Sequence, residues 1–211
     1  EGFYGGGDLT DTYICSSYPD TYYETSNYLA LGLEGSTEHR ILMSVQNVRE
    51  EIGIASVINS ASLYLNCYSA PGTFAYARAY MMEREWYSSS VTWNEDGFNT
   101  QSSTWTGGGE YDTTVYSPLE TFYFGATFDI TAIFKKQYYT DIGDLSSKGL
   151  LIKLTNNPNA RWLFYASEYS VTDYRPKIKV NYITPTIFGA DAGNGSDNSN
   201  TTVDERQEDM K

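Results

Sequence analysis

Apolar and polar residues alternate in short runs along most of this chain, and the runs are separated by Gly, Pro, Asn, Asp and Ser. Ala61, Leu63, Leu65 and Cys67 fall on one side, with Ser62, Tyr64, Asn66 and Tyr68 on the other. Ile178, Val180 and Tyr182 likewise alternate with Lys177, Lys179 and Asn181. Successive side chains of a strand point to opposite faces, so a period of two predicts strands. The pattern places them over 11–16, 28–33, 39–45, 61–68, 74–82, 91–94, 121–129, 149–155, 162–167 and 176–182. One buried face and one wet face is the signature of antiparallel sheets. Two such sheets closing over a shared core predict a β-sandwich. The exception is 130–139, where Ile130, Ile133, Phe134 and Tyr138 recur at helical spacing. Asp129 or Thr131 is positioned to cap that helix, and Lys135 and Lys136 sit toward its C-terminal half, which suits the helix dipole.

Composition strengthens this reading. Twenty Tyr, 9 Phe and 4 Trp favour pleated, half-buried surfaces over helices. Beyond Tyr182 the only aromatic is Phe188, and 184–211 is Gly, Asn, Ser and Asp followed by a charged run. A segment of that kind buries too little apolar surface to offset its ordering entropy. The expected organisation is therefore a Gly-rich linker at 1–7, a sandwich module at 8–183 and an acidic tail at 184–211.

Charge narrows the function classes. With 14 basic and 27 acidic residues the formal net charge is −13, which repels nucleic-acid phosphates. The apolar runs are too short to span a bilayer as helices. The chain begins at Glu1 without a basic, apolar leader, which reads as a mature or excised piece of something larger. A single His, His39, argues against His-dependent catalysis and zinc.

The order of motifs resembles the DNRLRE-domain family of secreted and cell-surface modules. The resemblance is carried by Asp11-Thr12-Tyr13-Ile14, His39-Arg40-Ile41-Leu42, Trp86 followed after a Ser-rich link by Val91-Thr92-Trp93-Asn94, Phe128-Asp129-Ile130-Thr131, and Arg175-Pro176-Lys177-Ile178. It covers about residues 11–182. It implies a jelly-roll-like sandwich, and one branch resembles modules that hold acidic polysaccharides through basic and Tyr side chains on one sheet. Met43-Ser44-Val45 stands where that branch commonly has a second basic residue and Phe.

The candidate ligand face comprises Arg40, Tyr64, Tyr68, Tyr76, Arg78, Tyr80 and Lys153, all predicted to point away from the core. Tyr rings stack on sugar faces, and Arg and Lys donate to hydroxyls and carboxylates. The reading to which this leads is a non-catalytic module that binds a polysaccharide or surface glycan and needs no cofactor. The alternative class is a structural adhesin, appendage or viral surface module, in which the same tyrosines make cross-strand pairs. An enzyme would have to use carboxylate pairs such as Glu83 with Glu85 or Glu95 with Asp96, which carry little specificity. A structural Ca²⁺ could draw on Asp11 and Asp129, or on Asp141 and Asp144. Trp86 and Trp93 are expected to anchor packing. Cys15 and Cys67 are an even pair for which a disulfide and two free thiols are both open.

Overall fold

A computed structural model of the chain describes residues 2–4, 9–45, 52–53, 55–98, 104–140 and 148–185. It is an all-β sandwich built from antiparallel sheets. The smaller sheet contains β1 (Gly2–Tyr4), β5 (Val57–Leu65), β10 (Ala126–Asp129) and β13 (Lys177–Ile183), in the order β1-β13-β5-β10. The larger sheet contains β2 (Leu9–Cys15), β3 (Tyr28–Glu34), β4 (Thr37–Val45), β6 (Cys67–Ser69), β7 (Ala75–Met82), β8 (Tyr111–Tyr116), β9 (Glu120–Phe122), β11 (Leu150–Leu154) and β12 (Ala160–Tyr165). Its order is β6-β12-β3-β4-β11-β7-β8, with β2 added to β4 and β9 to β7.

The alternation read from the sequence is the alternation that packs. Ala61, Leu63 and Leu65 of β5, Phe128 of β10, and Ile178 and Val180 of β13 bury against Ile41 and Met43 of β4, Ala75, Ala77 and Ala79 of β7, Ile152 of β11, and Trp162 and Phe164 of β12. Helix α1 (Thr131–Thr140) closes one end, burying Ile133, Phe134 and Tyr138, and Ile130 just before it is buried in the same core. The Asp129 carboxylate accepts the Thr131 N–H at its start, 3.0 Å away. No helix among the described residues is long and apolar enough to cross a membrane.

Four features differ from the sequence reading. The run 61–68 is divided between β5 in the small sheet and β6 in the large one, and the run 121–129 between β9 and β10. Each is a place where the chain crosses from one layer to the other. Both layers face one core, so the alternation continues through the crossing and does not reveal it. Residues 91–94 form no strand. There the Thr92 hydroxyl accepts the N–H groups of Asn94 and Glu95, a local side-chain bond that competes with sheet pairing. Strand β8 has no fully buried position and therefore no alternation to detect. Finally, Gly2–Tyr4, expected as linker, pairs with β13 as an edge strand. Asp141, Asp144 and the tail beyond 185 lie outside the described residues.

Candidate functional site

The site lies on the outer face of the larger sheet. On β7 the small residues Ala75, Ala77 and Ala79 are buried in the core, so Tyr76, Arg78 and Tyr80 face out. On β11 the neighbouring outward residue is Lys153, directly opposite Arg78 in the cross-strand register. Arg40 of β4 belongs to the same constellation, because its strand pairs with β11 through Ile41 and Ile152. The side chains interlock. Lys153 Nζ donates to the Tyr111 hydroxyl at 3.1 Å and lies 5.3 Å from that ring's centre. Tyr111 packs on Tyr80 at 4.8 Å, Tyr80 on Tyr116 at 5.9 Å, and the Arg78 guanidinium sits 4.5 Å over Tyr116. Arg40, Arg78 and Lys153 thus converge beside tyrosine rings on one surface.

Their roles diverge. Arg40, expected to be wet, is only 7% exposed. The segment between β7 and β8 folds back over this face, and Trp86, Val91 and Trp105 form a second small core with Ile14, Leu42, Met82 and Leu151. Trp93 from that segment stacks on the Arg40 guanidinium at 4.6 Å. Arg40 donates Nε and Nη2 to the two Glu38 oxygens at 2.8 and 2.9 Å, and Nη1 to the Gly108 carbonyl at 2.6 Å. Burial raises the Glu38 carboxyl, but hydrogen bonds and charge from Arg40, with the charge of Lys153, outweigh it and hold the group below the usual carboxylate range. A buried, forked ion pair of this kind is a structural element. Gly108 completes it: its φ is +87°, and a β-carbon there would run into the Arg40 guanidinium and Trp93. The cations less committed than Arg40 are therefore Lys153, half-buried with its Nζ also 3.9 Å from a Glu38 oxygen, and Arg78, which has no carboxylate partner within ion-pair distance among the described residues.

Two expected ligand residues lie elsewhere. Tyr64 is on β5, in the small sheet, across from Lys177. Tyr68 is on β6, at the far edge of the large sheet, where it stacks on Tyr28. The reason is the layer crossing at Asn66, which sequence alternation does not register. Glu38 was a readable partner for Arg40, two positions away on one strand face. Tyr111 and Tyr116 were not readable, since they come from the strand without a buried side.

The other candidates resolve into separate environments. Asp11 and Asp129 do not meet: Asp11 accepts the Ser167 N–H and hydroxyl, and Asp129 caps α1. No cluster of three or more His, Cys, Asp or Glu suited to a metal occurs among the described residues. Cys15 and Cys67 are free thiols, so the allowed disulfide is not formed. Cys15 is buried with its Sγ 3.5 Å from His39 Nε2, and Cys67 is half-buried on β6. Burial and the Arg161 charge push the His39 imidazole down. Glu83 and Glu85 are exposed, and Asp96 is buried in an ion pair with Arg84 at 2.7 Å. Trp86 is buried and donates its indole N–H to the Lys148 carbonyl.

A comparison of the sequence with known protein families and with curated proteins found no match.

Proposed function

We propose that this chain is a non-catalytic, extracellular module of a larger secreted or cell-surface protein that binds carbohydrate. The observation that carries this reading is the pairing of Lys153 with Arg78 across β11 and β7, flanked by Tyr76, Tyr80, Tyr111 and Tyr116. Two cations on a rigid sheet donate to sugar hydroxyls or carboxylates, and the exposed rings of Tyr76 and Tyr116 offer flat apolar faces. Non-catalytic sugar binding asks for little else. The resemblance to DNRLRE-domain modules, with its jelly-roll-like sandwich and polysaccharide-binding branch, supports the same reading.

The test is electrophoresis of the folded protein through gels containing individual neutral and acidic polysaccharides. Retardation by one glycan, abolished in Arg78→Ala and in Lys153→Ala while both variants still unfold cooperatively from a folded state at the assay temperature, is the expected result. Unchanged mobility in every gel overturns the proposal and leaves a structural surface module. Release of reducing ends or unsaturated products from the same panel would make the chain an enzyme instead.

A further inference from the structure

The far edge of the larger sheet carries a second aromatic cluster. β3 and β6 flank β12 on either side, and Tyr28 and Tyr68 reach across it to stack with ring centres 4.1 Å apart and planes 29° from parallel. Tyr165 of β12 lies against both, at 6.1 and 5.6 Å, and Tyr169 and Tyr174 complete the group. The neighbouring Tyr68 hydroxyl pushes the Tyr28 phenol above its ordinary value. Tyr68 is 49% exposed, so a diffusible oxidant reaches the pair.

We propose that Tyr28 and Tyr68 are a site of oxidative phenol coupling, joined by hydrogen peroxide and a haem peroxidase into an intramolecular dityrosine. Loss of one electron and one proton from each phenol gives two phenoxyl radicals, whose spin density is shared with the ring carbons beside the oxygen. Nearly parallel, closely stacked rings bring those carbons face to face, and a carbon–carbon bond forms between them. The displaced ring hydrogen on each side moves to oxygen and restores both phenols. Peroxide takes up the two electrons and two protons and leaves as two waters. The net change is the loss of two hydrogens and the gain of one cross-link.

The position gives the bond a purpose. It would tie the three-residue edge strand β6 to β3 across β12, closing a long loop of chain as a disulfide does. Neither cysteine supplies such a tie, since both are free. Cys67 adjoins Tyr68, but burial pushes its thiol up, away from the reactive thiolate. The pair Tyr13–Tyr23 stacks equally closely, at 4.1 Å, but both of its rings are half-buried, as Tyr28 is, and it has no exposed member like Tyr68, which makes it the internal control.

Dilute full-length chain is treated with peroxide and a haem peroxidase, then followed by biphenol fluorescence, gel mobility and peptide mapping. The expected product is monomeric, with peptides containing Tyr28 and Tyr68 joined and lighter by two hydrogens, and its thermal midpoint is raised. The signal is lost in Tyr68→Phe, which keeps the ring, and retained in Tyr23→Phe. Coupling only between molecules, coupling mapped to other tyrosines, persistence in Tyr68→Phe, or an adduct at Cys67 in place of the biphenol would each overturn the proposal.

Discussion

Arg40 and Asp11 sit on neighbouring, paired strands of the larger sheet, and both place an ionisable group out of water. Arg40 meets a carboxylate in a forked pair, with a backbone carbonyl and an indole ring filling the remaining directions. Asp11 meets Ser167 and a second acid, Glu168. Burial first, then the Glu168 charge, pushes the Asp11 carboxyl up to about 8, against hydrogen bonds from Ser167 that favour the ion. Both groups are desolvated by burial, but Arg40 is met by an opposite charge whereas the like charge beside Asp11 adds to the rise that burial causes. Arg40 is committed to Glu38, so the proposed glycan face depends on Lys153 and Arg78.

The largest effect expected from this contrast is a pH dependence. The folded state holds a proton on Asp11 that the unfolded state has released above its ordinary pKa of 3.8. That contribution to stability is therefore complete at acid pH and is lost as pH rises from about 4 toward 8. One proton sets a limiting slope of about 1.4 kcal/mol per pH unit. Urea unfolding across that range checks it, and Asp11→Asn should flatten this part of the profile. A wild-type profile without the slope would mean that Asp11 stays ionised in the fold.

Arg40→Met comes next. It leaves Glu38 with only the longer, 3.9 Å ion pair to Lys153 and should cost about 3 kcal/mol, the low end for a broken buried pair because Glu38 keeps that partner and some contact with water. Gly108→Ala should cost about 1–3 kcal/mol in the same assay, through its positive φ and its collision with the guanidinium. If it were neutral, the Arg40 cradle would be looser than described. The smallest change is expected for Arg78→Ala, below about 1 kcal/mol of stability, since it loses one cation–π contact at a half-exposed site. A drop comparable to that of Arg40→Met would make Arg78 structural and remove it from the ligand face.

The buried halves of the strands were legible because each apolar residue of a pair such as Leu63 and Leu65 needs the same removal from water wherever its strand lies. The helix was legible within one residue for the same reason, through Ile133, Phe134 and Tyr138. The candidate site was legible in part. Tyr76, Arg78 and Tyr80 follow from the alanines between them, and Lys153 from its aliphatic neighbours. Arg40 was read as wet because strand alternation says nothing about a loop lying on the outer face. Tyr64 and Tyr68 were assigned to one surface because a crossing between sheets leaves the alternation intact.

The sequence alone determined that this chain forms antiparallel layers with tyrosines on their outer faces, because strand periodicity and burial are local properties of neighbouring residues. Only the tertiary structure decided which tyrosines stand beside cations, which cation is locked away and which acid is kept neutral. Those outcomes depend on strand order, on the fold-back of Trp93 and Trp105, and on contacts such as Asp11 with Ser167 that join distant parts of the chain.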